Sequence, residues 1–143
     1  MVILMGFWCD DIMVGWQCSN EIELQSKYIQ DGFNSIQECG CDFAFSVTTF
    51  AFPVQRSLRI KDNGVEPIWS DFILERSQDL EEAYHDAGQF YWGKAKARLD
   101  GKKIHSDGTG IPISPRNVVD LDNMEDLKRA ELIKRCLMAE ESV

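Results

Sequence analysis

Two aspartates near the end of the chain have the spacing of a metal-binding pair. Asp120 and Asp122 flank Leu121 on a predicted short strand, so their carboxylates project from the same face. Paired carboxylates just before a helix suit Mg²⁺, which takes one or two carboxylates and completes its shell with water and substrate phosphates. The alternative is that Asp122 belongs to the helix-capping region and Asp120 is a solvated charge.

A second set of polar residues follows predicted strand ends. Gln55 and Arg56 come after an aromatic segment that contains Pro53, and an arginine fork recognises a planar carboxylate through two hydrogen bonds. Arg76 and Gln78 flank Ser77 at another junction between a strand and a helix, where they would complete a polar pocket. The alternatives are a surface ion pair for Arg56 and ordinary helix capping for the second group.

The first half of the chain supplies the elements that would position these residues. Apolar spacing predicts a helix from Asn20 to Gly40, weakened by about 1 kcal/mol by a glycine at position 32. Alternating residues predict a strand from Phe43 to Phe50, and the next strand-like segment runs from Val54 to Ile60. A turn over residues 61–64 would link two antiparallel strands.

The second half alternates helical and strand-like patterns. We predict a short acidic helix capped by Ser77 and ending near Gly88, then a buried strand over 89–92, a helical turn over 94–99 and a polar loop over 101–110. Val118 and Val119 lead into the strand with the aspartates, and Asn123 caps a last helix. Strands alternating with helices predict an α/β layered domain.

Composition excludes several classes of function. The 143 residues carry 15 basic and 24 acidic side chains, a net charge of −9, which disfavours nucleic-acid binding. Five cysteines without a repeated pair argue against a disulfide framework and favour reduced thiols in a cytoplasm. The apolar start of the chain is too short to span a membrane, has no basic residues, and ends at Asp10 and Asp11.

Four segments carry a resemblance to a known family. Residues 45–48 (FSVT), 52–56 (FPVQR) and above all 76–93 (RSQDLEEAYHDAGQFYWG) resemble the acylneuraminate cytidylyltransferases, most closely the branch that activates pseudaminic acid. Residues 118–123 (VVDLDN) resemble the terminal signature in which an Asp-x-Asp pair precedes a helix. The resemblance extends from about Glu23 to Leu137. We therefore expect residues 1–22 to be an atypical segment and 23–143 the C-terminal portion of a cytidylyltransferase-like domain.

The resemblance implies an N-terminally incomplete, Rossmann-like nucleotidyltransferase three-layer sandwich. It implies transfer of CMP from CTP to a nonulosonic acid, with Mg²⁺, in a cytoplasmic homodimer. By position, Asp120 and Asp122 match the metal-binding carboxylates, and Gln55, Arg56, Arg76 and Gln78 fall where the sugar acid is held. The alternatives are an N-acetylneuraminate-type enzyme and a non-catalytic fragment that serves as an interaction module.

One departure from the family pattern concerns the triphosphate of CTP. No segment here resembles the basic, glycine-rich loop that would hold it, so the chain begins about midway through the pattern. Phosphoryl transfer depends on positioning and on stabilising charge. We therefore expect this chain by itself to release pyrophosphate from CTP at a near-background rate.

Overall fold

The computed structural model describes residues 7–9, 12–16, 26–120 and 123–141, and only the backbone of the first two segments. The strands are β1 (Phe7–Cys9), β2 (Ile12–Trp16), β3 (Phe43–Thr49), β4 (Leu58–Lys61), β5 (Gly64–Pro67), β6 (Tyr84–Lys94) and β7 (Gly108–Pro112). The helices are α1 (Ser26–Cys39), α2 (Ala95–Leu99) and α3 (Met124–Glu141), with 3₁₀ turns at Val54–Arg56, Ser70–Phe72, Ser77–Asp79 and Pro115–Asn117.

The chain divides into two compact units. Unit 1 comprises the described parts of residues 1–48 and 86–143, and unit 2 comprises residues 49–85. A mixed sheet has the strand order β1-β2-β6-β3-β7, with β1–β2 and β2–β6 antiparallel and β3–β7 parallel. Strands β4 and β5 form a separate antiparallel hairpin. A sheet with a parallel pair and flanking helices confirms the α/β class.

Helix α1 packs directly on the aromatic side chains of β6. Phe90 is fully buried, and the Trp92 ring lies 5.3 Å from the ring of Phe33. The indole N–H of Trp92 donates to the carbonyl of Ile29 at 2.7 Å, so the polar end of this ring is also satisfied. Around this contact lies the main core, formed by the buried residues Ile36, Ala44, Phe90, Trp92, Ile111 and Ile113.

Strand β3 is buried on both faces, which is typical of a central strand. Two of its side chains are polar and fully satisfied. The hydroxyl of Ser46 accepts from the backbone N–H groups of Gln89 and Phe90, and the Thr48 hydroxyl donates to the Ile113 carbonyl at 2.9 Å. These bonds fix β3 against both neighbouring strands.

Several predicted features are confirmed. The structure describes the first helix from residue 26 onward, and this helix ends before Gly40, as predicted. Gly40 has a φ of 69°, a conformation that favours glycine. The strand predicted from Phe43 is β3. The turn at 61–64 links β4 and β5, with Asp62 and Asn63 both at positive φ, as expected for the commonest tight hairpin turns. The predicted boundary between residues 22 and 23 lies outside the described residues.

The helix predicted from Ser77 to Gly88 is wrong. A 3₁₀ turn spans Ser77–Asp79 and β6 begins at Tyr84. The Ser77 side chain caps no backbone N–H; its hydroxyl accepts a hydrogen bond from Arg56 instead. The Ala83 carbonyl accepts from the Phe50 N–H at 3.3 Å, so backbone pairing beyond the turn replaces helical bonding.

Two other predictions miss the observed elements. The segment from Val54 to Ile60 begins as a 3₁₀ turn, and only Leu58 onward is strand. The predicted polar loop over 101–110 contains the start of β7, which pairs in parallel with β3. The glycines at positions 108 and 110 are the reason that the sequence does not indicate this strand. A Cβ at position 108 would lie 2.5 Å from the Ile104 carbonyl, and a Cβ at position 110 would lie 2.9 Å from Val47.

The expectation of reduced cysteines is wrong for one pair. Cys39 and Cys41 are joined by a disulfide, with Cα atoms 5.3 Å apart. The left-handed turn at Gly40 reverses the chain so that the two sulfur atoms meet. Cys136 is free and exposed.

Helix α3 covers a smaller apolar cluster. Its Ala130 is buried against Val119, with Ile133 packed beside them. Among the described residues, no helix is both long and apolar enough to cross a membrane.

Gly32 should be required for the contact between α1 and β6. A Cβ at this position would lie 2.7 Å from the Trp92 ring and 2.8 Å from the Phe90 ring. We expect Gly32→Ala to destabilise the fold by about 1–3 kcal/mol through overpacking, although the same change favours an isolated helix. Urea unfolding measures the difference. Gln37→Ala, on the exposed side of α1, is the control and should stay within about 0.5 kcal/mol of the parent; equal effects would contradict this account.

Candidate functional site

Unit 2 brings the four predicted sugar-acid residues to two facing 3₁₀ turns. Arg56 ends the first turn, and its Nη1 donates to the Ser77 hydroxyl in the second at 3.2 Å. Ser77 lies between Arg76 and Gln78 in sequence, so this one hydrogen bond brings the two turns and the predicted residues on them together. Arg56, Arg76 and Gln78 are all exposed to solvent. The arrangement presents guanidinium and amide groups, which suits recognition of a carboxylate and hydroxyls.

Gln55 ties the first turn to the chain beyond the second. Its Nε2 donates to the Glu81 carbonyl at 2.9 Å. Its Oε1 is buried and has no hydrogen-bond partner among the described residues. A buried acceptor without a donor costs about 1–3 kcal/mol, and a ligand hydroxyl or N–H would supply the missing bond.

The arginines of unit 2 differ in their partners. Arg76 pairs with Asp79, with 2.9 Å between Nε and Oδ2, and Arg59 pairs with Glu66 at 3.4 Å. Arg56 instead hydrogen-bonds a neutral hydroxyl. The contact with Ser77 therefore orients the Arg56 guanidinium without neutralising its charge.

The predicted metal pair is described in part. Asp120 is exposed and directly follows buried Val119, and Asp122 lies outside the described residues. Asp120, the first residue of the predicted strand, is not in a strand, and the other two positions of that strand lie outside the described residues. Among the described residues, no group of three His, Cys, Asp or Glu side chains could hold a metal ion.

The cap of α3 fixes the chain just after the predicted metal pair. The Asn123 Oδ1 accepts from the N–H groups of Glu125 and Asp126 at 2.8 and 3.1 Å. The Asp126 carboxylate accepts from the Asn123 N–H at 3.1 Å. This reciprocal capping box confirms the predicted helix start.

Sequence reasoning missed a polar cluster in unit 1. It treated His105 as isolated and Tyr91 as core, but both hydrogen-bond Asp86, at 3.0 Å from His105 Nε2 and 2.9 Å from the Tyr91 hydroxyl. The Asp86 carboxylate also accepts from the Gly88 N–H at 2.8 Å. Because His105 lies 19 residues from Asp86, no local sequence pattern signals their contact.

Tyr91 should ionise at unusually high pH. Burial, with the Asp86 carboxylate beside the hydroxyl, raises the Tyr91 pKa from 10.0 to about 12. Since the neutral form is favoured in the folded state, its contribution to stability is complete below pH 10 and is lost as the pH rises toward 12. Tyrosinate absorbance during alkaline titration should show this late step.

Substitutions identify which of the three tyrosines ionises in the late step. Tyr91→Phe should remove it, and Asp86→Asn should move it to lower pH. Glu82→Gln is the control, because Glu82 raises the pKa of Tyr84 and contacts only that tyrosine's hydroxyl among the described hydrogen bonds. A Tyr91 that titrates near its ordinary value would contradict the description of this cluster.

Comparison with known proteins supports the resemblance seen in the sequence. No protein-family model matches the chain. Two proteins from different strains of Campylobacter jejuni, both named pseudaminic acid cytidylyltransferase, are 33% and 38% identical over 112 residues, which is 77% of this chain and 48% of each relative.

A third relative is from Helicobacter pylori and carries a double name, pseudaminic acid cytidylyltransferase and UDP-2,4-diacetamido-2,4,6-trideoxy-beta-L-altropyranose hydrolase. It is 32% identical over 100 residues, covering 68% of this chain and 19% of the relative. The chain thus spans about half the length of the Campylobacter relatives. Over the matched part, these similarities confirm that the chain is related to the pseudaminic acid cytidylyltransferases.

Proposed function

We propose that this protein transfers CMP from CTP to a nonulosonic acid, pseudaminic acid, giving the CMP-sugar and pyrophosphate. The names of the relatives support this reaction and give no support to the N-acetylneuraminate alternative. We propose that the mixed sheet and its helices form part of a Rossmann-like nucleotidyltransferase sandwich. We also propose a cytoplasmic location, where CTP is available.

The observation that best supports the proposal is that Arg56 has a neutral hydrogen-bond partner. Among the arginines with described partners, Arg56 is held by the neutral Ser77, whereas the others pair with carboxylates: Arg59, Arg76, Arg116 and Arg135. An oriented guanidinium with its charge still available is what a sugar carboxylate needs. In a chain with a net charge of −9, such a group is the local positive charge that an anionic substrate requires.

The polar neighbours of Arg56 extend this proposed sugar-acid site. The buried Oε1 of Gln55 accepts a hydrogen bond from a sugar hydroxyl or acetamido N–H. Arg76 and Gln78, on the facing turn, contact the remaining polar groups of the sugar. Because the Asp79 carboxylate partly neutralises Arg76, we assign carboxylate recognition to Arg56.

We propose that Asp120 and Asp122 hold Mg²⁺. Asp120 is exposed and thus accessible as an oxygen ligand, and a magnesium ion takes most of its other ligands from water and phosphate. The ion would stabilise charge on the phosphoryl and leaving oxygens. The capped start of α3 fixes Asn123, the residue that follows Asp122 in sequence.

We propose a homodimer formed through unit 2. Strand register places Leu58, Ile60, Val65 and Pro67 on one face of the hairpin, and the first three are 54%, 87% and 63% exposed. The opposite face carries the Arg59–Glu66 ion pair. An isolated two-stranded hairpin is marginal in water. Residues 58–67 also have balanced charge, so two copies of an acidic chain can meet here.

Arg56→Lys tests the carboxylate role directly. Lysine keeps the charge but loses the two-pronged geometry, so the KM for the sugar acid should rise about ten-fold, as expected for losing one charge-assisted hydrogen bond. The KM for CTP should stay nearly unchanged. The assay follows pyrophosphate release in a form of the protein that carries a CTP-binding loop. Arg59→Lys, whose partner is Glu66, is the control; equal effects in both variants would refute the assignment and favour a non-catalytic role.

Asp120→Asn tests the metal site. Neutralising one ligand should raise the Mg²⁺ concentration for half-maximal activity about ten-fold or more, since even outer-shell partners of a metal matter on this scale. Asp126→Asn serves as the control, because it loses a capping bond worth about 0.5–2 kcal/mol of stability without touching the metal. A similar Mg²⁺ requirement in both variants would exclude a metal role for Asp120.

Ile60→Lys tests the proposed dimer. A charge at the centre of the apolar hairpin face should shift the oligomer to monomer in sedimentation velocity across a concentration series. Lys61→Gln, on the polar face, should leave the association unchanged. A parent protein that sediments as a monomer at all concentrations would disprove the dimer.

A further inference from the structure

Cys39 and Cys41 flank a single residue, Gly40, and their disulfide closes a small ring, here called the CGC ring (residues 39–41). Cys39 is the last residue of α1, and Cys41 comes two residues before the start of β3. Cys39 and Gly40 are exposed, and Cys41 is half-buried. Cys39 is therefore the more accessible cysteine of the pair.

Contacts outside the disulfide hold the CGC ring in place. Gly40 has a φ of 69°, and its carbonyl accepts a hydrogen bond from Lys94 Nζ at 2.8 Å. Directly after the ring, the Asp42 N–H donates to the Asp107 carbonyl at 3.2 Å, and the Asp42 carbonyl accepts from the Lys94 N–H at 3.0 Å. Because these bonds fix the backbone beside both cysteines, we expect the two thiols to stay within bonding reach when the disulfide is open.

The size of the CGC ring argues against a purely structural bond. In the chain-entropy account, a disulfide stabilises a fold by restricting the unfolded chain, and the effect falls as the closed loop becomes shorter. Only one residue separates the two cysteines, so little freedom is removed from the unfolded chain. A bond that adds little to the stability of the fold can open and close in the folded protein.

The surroundings of the CGC ring favour the reactive form of a thiol. Exchange between thiols and disulfides proceeds through the thiolate. The Cys41 N–H donates to Cys39 Sγ at 3.1 Å, and the Lys94 ammonium is held at the Gly40 carbonyl between the two cysteines in sequence. A hydrogen-bond donor and a nearby positive charge both stabilise a negatively charged sulfur. Among the described residues, no group of three His, Cys, Asp or Glu side chains includes this pair, so a metal ion does not account for it.

We propose that Cys39 and Cys41 form a redox-active dithiol that exchanges with low-molecular-weight disulfides. The Cys39 thiolate attacks one sulfur of the small disulfide, whose S–S bond breaks, and a mixed disulfide forms as one small thiolate leaves. The Cys41 thiolate then attacks the Cys39 sulfur, which closes the CGC ring and releases the second small thiolate. The protein loses two electrons and two protons, and the small disulfide is reduced to two thiols. This inference does not depend on the proposed transferase reaction.

The first experiment equilibrates the folded 143-residue chain in mixtures of reduced and oxidised glutathione, starting from either form of the protein. Free thiols are quenched with acid and alkylated, and tryptic peptides are analysed by mass spectrometry. Peptide 28–56 contains Cys39 and Cys41 and no other cysteine, and peptide 136–143 contains only Cys136, which is free and exposed.

Peptide 28–56 should change reversibly between the dialkylated form and the closed ring, with the same ratio reached from both directions. Cys136 is the control and should carry a glutathione adduct instead. A peptide 28–56 that never closes, that never opens, or that carries glutathione in place of the ring would overturn the proposal.

Urea unfolding of the oxidised and reduced chains separates exchange from a structural role. The two midpoints should nearly coincide, whereas a reduced chain that unfolds without urea would show a structural disulfide and overturn the proposal.

The last experiment tests the order of attack with single substitutions. Cys41→Ser should accumulate a glutathione adduct on Cys39, because the second step of the exchange is removed. Cys39→Ser should form its adduct on Cys41 several-fold more slowly, since Cys41 is half-buried. Adducts that form no faster in Cys41→Ser than in Cys39→Ser would overturn the assignment of Cys39 as the attacking thiol.

Discussion

The close approach of α1 to β6 is the constraint on which unit 1 depends. At Gly32 the helix backbone meets the Trp92 and Phe90 rings at distances that leave no room for a Cβ. The indole N–H of Trp92 also donates to the Ile29 carbonyl of the helix, so packing and hydrogen bonding together fix the position of α1 on β6. A residue that weakens an isolated helix is therefore the one that lets this helix bury the sheet.

The same contact decides which face of β6 carries its polar side chains. Since Phe90 and Trp92 are committed to the core, the polar side chains Gln89 and Tyr91 must face away from α1. Gly88, with a φ of 66°, lets the chain turn so that its own N–H reaches the Asp86 carboxylate. Strand β6 thus holds Asp86 and Tyr91 in place with their hydrogen bonds to each other and to the Gly88 N–H already formed.

Local signals were enough to predict the elements whose bonds are local. The capping box at Asn123 and the hairpin turn at Asp62 and Asn63 each involve residues within three positions of one another, and both were predicted. The helix predicted from Ser77 failed because that hydroxyl bonds Arg56, 21 residues away. The contact between Asp86 and His105 likewise depends on tertiary structure, so sequence reasoning missed it. The proposed sugar-acid residues came from the family resemblance and not from a local pattern.

Charge explains what the contact with Ser77 does for Arg56, the arginine that we propose binds the sugar acid. Carboxylates outnumber cationic side chains by 24 to 15, so an arginine on this surface commonly finds an acidic partner. Arg59 and Arg76 do so, and each partner offsets the charge that a ligand would need. Ser77 supplies a hydrogen-bond acceptor without a negative charge, so the Arg56 guanidinium is oriented and still attracts an anion. An acidic residue at position 77 would hold Arg56 more strongly and would compete with any anionic ligand for the same guanidinium.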